Sequence, residues 1–240
     1  MSGNFAPPVR FADNLQKGVT MNITPWKRDF LISARECGAL QFGDFTLRSG
    51  RRSPWFFNAG MFNTGHALRA LGHAYTDLIL HEYRDDCDVL FGPAYKGIPI
   101  VCTTAIALTE RRSEPIPWCF NRKEVKAHGD GGNLVGAPLE GRVLILDDVI
   151  TAGGSVEKSI EIITAAGATP TGVCIAIDRD ERGTESGRSA TTEIAEKFGI
   201  PVHAIATADD VIEFLAEGSL PGFEGYADHI REYLAQFRAT

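Results

Sequence analysis

The segment that most constrains the fold of this 240-residue chain is the run V-L-I-L-D-D-V-I-T-A-G-G-S at residues 143–155. Its leading apolar residues predict a buried strand, and the residues from Ser155 to Ala166 have the period of a helix. Two carboxylates and a turn of small residues lie between these elements. Because open parallel sheets bind ligands beyond the carboxyl ends of their strands, this junction is the predicted ligand site.

The rest of the chain predicts an α/β fold. Short apolar runs are typical of buried strands, and such runs are found at 89–92, 116–120, 172–177 and 202–206. Helical patterns lie between and after them, at 98–111, 190–198, 209–216 and 224–237. This alternation indicates a mainly parallel sheet that is covered by helices on both faces.

The first part of the chain departs from this alternation. Residues 1–22 show little periodicity and are interpreted as a flexible extension that precedes a single domain at 23–240. A hydroxyl residue followed by proline favours a helix start at Thr24, and the apolar period continues to about Gly43. The next predicted elements are two short strands around a turn at 49–50 and a helix at 64–83.

The segment 121–140 is predicted to be a long loop. It lacks an apolar period, contains four glycines, and carries the basic residues Lys123, Lys126 and His128. A loop of this length in a compact domain is usually functional or disordered. The segment is therefore a candidate for binding an anionic ligand.

Composition argues against several classes of protein. The formal net charge of -7 is opposite to the usual balance of proteins that hold a nucleic-acid backbone. The chain has no run of ~18 apolar residues that would predict a membrane helix, and no basic start followed by an apolar core. The five cysteines are odd in number and form no C-x-x-C pair, which favours reduced thiols in a cytoplasmic protein.

The small residues at 151–155 predict a phosphate cradle. Glycines let the backbone approach a ligand closely, and the N-terminus of the following helix favours negative charge. The chain contains neither G-x-x-x-x-G-K-[ST] nor G-x-G-x-x-G, so neither nucleoside triphosphate hydrolysis nor dinucleotide binding has support.

Asp147 and Asp148 would repel each other beside such a cradle. The pair is therefore understandable only if the ligand supplies hydrogen-bond donors or positive charge to the carboxylates. Two like charges ~4 Å apart disfavour each other by about 1–4 kcal/mol at surface-like dielectric. A ribose 5-phosphate would donate its 2′ and 3′ hydroxyls to the carboxylates. Its C1′ would also develop positive charge as a leaving group departs, and the carboxylates would stabilise that charge.

The 143–155 run resembles the phosphoribosyl pyrophosphate (PRPP) motif of type I phosphoribosyltransferases. Three further segments, 42–60, 90–99 and 120–136, resemble the orotate phosphoribosyltransferase family, as does I-D-R-D-E-R-G at 177–183. The resemblance extends in order from residue 23 to about 235. It implies a type I phosphoribosyltransferase fold, with a mainly parallel central sheet flanked by helices and a small hood built from N-terminal elements.

The resemblance also implies an activity and its partners. The reaction would transfer the phosphoribosyl group from PRPP to orotate, giving orotidine 5′-monophosphate and pyrophosphate in de novo pyrimidine synthesis. Mg²⁺ would be bound mainly through PRPP, with no direct protein ligand. The protein would be a homodimer in which a mobile loop closes over the partner's active site.

The family resemblance assigns roles to residues of this sequence. The implied PRPP contacts are Arg48, Tyr95, Lys96, Arg122, Lys123, Lys126, His128, Asp147, Asp148, Val149, Ile150, Thr151, Ala152, Gly153, Gly154 and Ser155. Within that set the implied catalytic residues are Lys123, Lys126, His128, Asp147 and Asp148. The implied orotate contacts are Phe56, Phe57, Thr151 and Arg179. Arg48 stands where the family commonly has lysine, which keeps the charge but changes reach and hydrogen-bond geometry.

Several of these residues also have structural interpretations. The basic residues of 121–140 could be solvated loop groups, Phe56 and Phe57 core residues, Arg179 part of an ion pair, and Tyr95 scaffold. Two rival functions stay open as well. One is a phosphoribosyltransferase with a purine or uracil acceptor, and the other is a regulator that senses PRPP without catalysis.

Overall fold

The computed structural model describes residues 23–84, 86–123, 133–151, 153–183, 187–218, 220, 222–223 and 225–239. Its helices there are α1 (Pro25–Glu36), α2 (Gly65–Glu82), α3 (Gly97–Arg112), α4 (Gly154–Ala165), α5 (Ala190–Phe198), α6 (Ala208–Ala216) and α7 (Tyr226–Phe237). Its strands are β1 (Leu40–Thr46), β2 (Arg52–Phe57), β3 (Val89–Gly92), β4 (Trp118–Asn121), β5 (Leu134–Gly136), β6 (Arg142–Leu146), β7 (Thr169–Asp178) and β8 (Val202–Thr207). A short 3-10 turn, Ala59–Met61, follows β2.

Six strands form the central sheet in the order β5-β4-β3-β6-β7-β8. All neighbours are parallel except β4 and β5, which are antiparallel. Strands β1 and β2 form a separate antiparallel hairpin. The predicted α/β class with a mainly parallel sheet is confirmed, and β6 has its carboxyl end in the middle of that sheet.

Strand β6 separates two hydrophobic clusters that cover the two faces of the sheet. Leu144 and Leu146 pack in the cluster that includes α1, α2, α3, α6 and α7. Val143 and Ile145 pack in the second cluster, with residues of α4 and α5. All four side chains are fully buried, and each such burial stabilises the fold by roughly 1.5–3 kcal/mol. Burial on both faces explains why the strand is apolar at each position from Val143 to Leu146.

The first helix ends earlier than the sequence predicts. It stops at Glu36, and Leu40 and Phe42 belong to β1 instead of continuing the helix. Gly38 has a φ of 77°, which breaks the helical backbone and turns the chain. Leu40 then pairs with Phe57 across the hairpin. Pairing with β2 therefore overrides the helical period, and the prediction to about Gly43 is wrong.

Other local predictions have mixed outcomes. Thr64 accepts a hydrogen bond from the Ala67 N–H at 3.2 Å and caps α2 as predicted. Thr24 precedes α1, but its hydroxyl makes no capping bond. The segment 121–140 is not one continuous loop, because β5 pairs with β4. Residues 124–132 of that segment lie outside the described residues.

Three other features bear on the sequence predictions. All five cysteines are free thiols. Within the described part of the chain, none of the helices combines the length and apolar character that crossing a membrane requires. The proposed extension at 1–22 lies outside the described residues, so the boundary of the domain stays a prediction.

Helices α2 and α3 approach closely at Gly72. A Cβ there would lie 2.7 Å from the carbonyl oxygen of Thr103 and 2.7 Å from its hydroxyl. We therefore expect Gly72→Ala to destabilise the protein by about 1–3 kcal/mol, because overpacking outweighs the ~1 kcal/mol gain in helix propensity. Denaturant unfolding would measure this change. Gly65→Ala, in open space on the same helix, is the matched control, and equal stability of the two variants would contradict the prediction.

Candidate active site

Two adjacent carboxylates follow β6 at the carboxyl edge of the sheet. The Asp147 N–H donates to the carbonyl of Cys174 at 3.0 Å, and the Ala176 N–H donates to the carbonyl of Asp148 at 2.9 Å. The buried Tyr75 of α2 donates its hydroxyl to the Asp147 carbonyl at 2.6 Å. The backbone of the pair is therefore fixed from β7 on one side and from α2 on the other.

The carboxylate of Asp147 lies in a poorly solvated environment. The exposed fractions of Asp147 and Asp148 are only 6% and 7%. Burial, and then the Asp148 charge, raises the pKa of Asp147 to about 6. The Asp148 N–H donates to Asp147 Oδ1 at 2.9 Å, and this bond and the Ser155 hydroxyl act in the opposite direction by stabilising the ionised form.

Lys96 supplies a countercharge to the acid pair. It lies in the turn between β3 and α3, and its Nζ is 2.6 Å from Asp148 Oδ2. The carboxylate side chain is 9% exposed and the lysine side chain 55% exposed. The pair thus joins a buried anion to a cation that still reaches solvent, and Lys96 is free to exchange partners when an anionic ligand arrives.

A second cation lies beside this turn. Lys123, just after β4, places its Nζ 4.6 Å from the centre of the Tyr95 ring, a cation–π distance. The buried Asn121 accepts from the Ala94 N–H at 3.0 Å through Oδ1. This bond ties the end of β4 to the turn that carries Tyr95. The structure therefore brings Tyr95, Lys96 and Lys123 to the same edge as the acid pair.

The turn after the acid pair leads directly into α4. Gly153 has a φ of 74° and precedes the first residue of the helix, so it leaves the N-terminus of α4 without a side-chain cap. A Cβ on Gly153 would also lie 3.0 Å from Ile194 of α5. The backbone N–H groups of the first turn are thereby open to an anion, as the phosphate-cradle prediction requires. Ala152 lies outside the described residues.

The remaining predicted PRPP residues are more scattered. Arg48 is exposed in the turn between β1 and β2. Val149 and Ile150 are half-buried, and they pack against the two hydrophobic clusters on opposite sides of the sheet. The Arg122 N–H donates to the carbonyl of Asn133 at 2.7 Å. Lys126 and His128 lie outside the described residues.

Among the predicted acceptor residues, Arg179 lies where the hairpin contacts the end of β7, beside the strand that carries Phe56 and Phe57. Arg179 follows β7, and its guanidinium lies 4.1 Å above the Trp55 ring of β2. Its Nη1 donates to the Trp55 carbonyl at 3.3 Å, and its Nη2 donates to the Ser53 hydroxyl at 2.9 Å. Phe57 points into the core, whereas the half-buried Phe56 ring stacks on Phe45 at 5.6 Å. The buried Phe57 side chain is therefore not available to a ligand.

Known proteins resemble this chain over most of its length. Residues 61–204 match the family described as phosphoribosyl transferase domain. An orotate phosphoribosyltransferase of Pseudomonas aeruginosa is 53% identical over 206 residues, which cover 84% of this chain and 96% of that relative. The chain belongs to the orotate phosphoribosyltransferase family.

Other members of this family agree over similar lengths. The orotate phosphoribosyltransferase of Thioalkalivibrio sulfidiphilus is 52% identical over 212 residues, covering 88% of this chain and 98% of the relative. The crystal structure of the Francisella tularensis orotate phosphoribosyltransferase superposes with a TM-score of 0.77 at 38% identity. The superposed region covers 87% of this chain and 98% of the Francisella tularensis chain. The type I phosphoribosyltransferase fold expected from the sequence is confirmed.

For this orotate phosphoribosyltransferase family member, the sequence predictions missed the residues that hold the site in place. Tyr75, Asn121, Ser53 and Glu181 each bind a predicted site residue or its turn. Tyr75 sits in a helical apolar pattern and is indistinguishable from a core residue by sequence alone. The polar residues Asn121 and Ser53 lie within strands where alternation predicts burial, and a buried polar side chain at such a place is a usable signal.

The pH dependence of stability should report the buried carboxylate of Asp147. Its pKa of about 6 in the folded protein exceeds the ordinary value of 3.8, so the protein loses stability as the pH rises from 3.8 to about 6, and the full cost of burying the ionised form is present above that range. Asp147→Asn keeps an oxygen for the Asp148 N–H but removes the charge. We expect this variant to be more stable than the parent by about 1–3 kcal/mol at pH 7.5, with the difference disappearing towards pH 4.

Denaturant unfolding across this pH range is the measurement. Asp228→Asn removes a carboxylate whose side chain is 75% exposed on α7 and serves as the control. A stability difference for Asp147→Asn that is the same at pH 4 and pH 7.5 would show that charge burial is not its cause.

Proposed function

We propose that the protein transfers the phosphoribosyl group from PRPP to orotate, giving orotidine 5′-monophosphate and pyrophosphate. The observation that carries this proposal is the acid pair at the carboxyl end of β6, which runs through a glycine turn into the uncapped start of α4. Anion-binding backbone and hydroxyl-accepting carboxylates are the two groups that a ribose phosphate needs. Membership of the orotate phosphoribosyltransferase family supports orotate as the acceptor.

The sugar phosphate fits this junction in one direction. The 5′-phosphate would accept hydrogen bonds from the N–H groups of residues 151–155, with the ribose hydroxyls donating to Asp147 and Asp148. Lys96 would then leave Asp148 and bind the diphosphate, because the hydroxyls replace it as partners of the carboxylate. The pair of Lys96 and Asp148 at 2.6 Å supports this exchange, because the lysine already lies beside a carboxylate that would hold the ribose.

The chemical step needs no protein nucleophile. Orotate N1 attacks C1′ from the side opposite the diphosphate and releases its proton to water. The N1–C1′ bond forms, and the C1′–oxygen bond breaks with its electron pair leaving on the diphosphate. The buried carboxylates stabilise the positive charge that develops at the ribose. Lys96 and Lys123 neutralise the leaving group, together with Lys126, and His128 would donate a proton or a hydrogen bond to it.

Mg²⁺ is proposed to accompany PRPP. It prefers oxygen ligands and usually binds through substrate phosphates with few protein carboxylates. Among the described residues there is no group of three or more His, Cys, Asp or Glu side chains that could hold a metal ion. We propose the oxygens of PRPP and water as the main ligands, in line with this preference of Mg²⁺, and bound Mg²⁺ would supply charge neutralisation of the diphosphate.

A homodimer with a shared active site is also proposed. Within the described residues, the exposed large hydrophobic side chains are Tyr95 and Ile106, which lie immediately before and within α3. The stacked rings of Trp118 and Phe120 are half-buried on the neighbouring strand β4. An apolar surface beside the active-site edge suits contact with a second copy of the chain.

We further propose that the protein works in the cytoplasm, in de novo UMP synthesis.

Orotate consumption, followed spectrophotometrically, tests the proposed reaction. We expect turnover that requires both PRPP and Mg²⁺ and that stops when a chelator is added. Uracil and hypoxanthine, assayed beside orotate, should react at least ~100-fold more slowly, because they lack the carboxylate that the site would hydrogen-bond. Faster turnover of either alternative base would reassign the acceptor. PRPP binding without turnover of any base would identify a regulator.

Subunit mixing tests the shared site and the role of Lys126. Lys126→Ala should lower kcat by roughly 10²–10³-fold, because a cation that stabilises the leaving group is lost. An Asp147→Asn/Asp148→Asn double variant should also be inactive. Co-expression gives mixed dimers with one Lys126→Ala subunit and one double-variant subunit. If the loop acts on the partner subunit, one of the two active sites in such a dimer combines an intact acid pair with an intact loop and should be active. Separately purified homodimers that are mixed without exchange are the control, and inactive mixed dimers would exclude sharing.

A further inference from the structure

A half-buried carboxylate, Glu181, connects the end of β7 to the hairpin and the last helix. Its Oε1 accepts from Arg179 Nε at 2.8 Å and lies 2.6 Å from Arg179 Nη2. Its Oε2 lies 3.8 Å from Arg51 Nη1 of the hairpin. The hydroxyl of Tyr233, from α7, is also adjacent, and burial followed by the Glu181 charge raises the pKa of that tyrosine to about 12. The Glu181 side chain is only 14% exposed.

The contacts of Arg179 leave few of its donors for a ligand. An arginine has five N–H groups, one on Nε and two on each Nη. Nε and Nη2 face Glu181, and Nη2 also donates to Ser53, so the edge that binds carboxylates in bidentate fashion is already occupied. Nη1 does not face Glu181; it donates to the Trp55 carbonyl at 3.3 Å, and the Tyr233 hydroxyl also lies beside the guanidinium.

Charge gives Glu181 a second effect. One carboxylate compensates two guanidinium groups, those of Arg179 and Arg51, in a cluster where every charged side chain is less than a fifth exposed. Arg51 has anchors besides Glu181, since its Nη1 donates to the Arg182 carbonyl at 2.8 Å and its guanidinium lies 5.0 Å from the Phe237 ring. Without Glu181 the guanidinium groups of Arg179 and Arg51 would repel each other. This repulsion would displace Arg179 from the Trp55 ring.

We propose that Glu181 is a positioning residue that sets acceptor recognition by holding Arg179 against the hairpin with its Nε/Nη2 edge occupied, so that Nη1 is the nitrogen turned away from Glu181. Arg179 then meets a single acceptor oxygen of the pyrimidine rather than gripping its carboxylate through two nitrogens. This inference rests on the proposed function, because it assigns the acceptor side of that same site. It revises the bidentate pairing that a free guanidinium would favour.

The test is a steady-state comparison of Glu181→Gln with the parent protein. Glutamine keeps the size of the side chain but removes the charge that fixes Arg179. We expect KM for orotate to rise about 10-fold, the effect of losing one charge-assisted hydrogen bond, while KM for PRPP changes less than about two-fold. KM for orotidine 5′-monophosphate in the reverse reaction should rise with that for orotate, since both carry the pyrimidine.

Controls separate positioning from structural support. Asp228→Asn removes an equal charge from an exposed ion pair of α7 and should leave all three KM values unchanged. Ser53→Ala removes a second anchor of Arg179 and keeps Glu181, so it should raise KM for orotate by a smaller factor. If Glu181→Gln does not fold, the KM for orotate of Ser53→Ala tests the inference instead.

Each outcome decides the inference. An unchanged or lowered KM for orotate in a folded Glu181→Gln or Ser53→Ala variant would overturn it. A parallel rise in the KM values for orotate and PRPP would do the same, since general loosening of the structure would then be the cause. Failure of the proposed function itself looks different, because the parent protein would then not consume orotate at all.

Discussion

Two carboxylates buried side by side at the end of β6 are the constraint on which the rest of this structure depends. Burial raises the pKa of Asp147 to about 6, so the pair is unfavourable at neutral pH in the absence of a ligand. The fold keeps it there because the preceding four residues of β6 are fully buried between two hydrophobic clusters. The same strand that stabilises the sheet thus delivers the groups that destabilise its edge. Such opposition is typical of sites that are completed by their substrate.

The neighbouring elements limit this penalty without removing it. Lys96 neutralises Asp148, and the Asp148 N–H and the Ser155 hydroxyl favour the ionised form of Asp147. The lysine is more than half exposed, so its contribution to stability is screened by solvent. It is therefore better suited to changing partners than to holding the fold together. Ribose hydroxyls that replaced it would keep the carboxylates hydrogen-bonded while the lysine moved to the diphosphate.

Most of the fold could be predicted from the sequence, because the period of apolar residues follows directly from burial. Strand β3 and the buried core of β6 lie where continuous apolar runs placed them, and α2 begins at the hydroxyl cap expected at Thr64. The end of α1 could not be predicted, because Leu40 fits both a helical period and a strand. Only its pairing with Phe57, far along the chain, decides between the two.

Some residues of the candidate site could likewise be recognised from the sequence, and others only from the packing of the structure. Asp147 and Asp148 could be recognised as candidates from the strand end that they follow, and Lys96 from the family resemblance. Glu181 could not be, although it lies two residues from Arg179, because its importance comes from contacts with the hairpin and α7. Sequence proximity identifies which side chains follow a strand, whereas the packing of distant elements decides which of their donors stay free.

Strand order also explains how the proposed reaction is laid out in space. Along the carboxyl edge β4 is followed by β3, β6 and β7, and these strands are succeeded by Lys123, Lys96, the acid pair and Arg179, respectively. Neighbouring strands are about 4.8 Å apart, so the row spans roughly 14 Å. In the proposed reaction the cations would lie at the diphosphate end, the carboxylates at the ribose, and the guanidinium of Arg179 at the acceptor end. A ligand in this row would have C1′ above β6, between the leaving group and the attacking nitrogen, which is the arrangement that direct displacement requires.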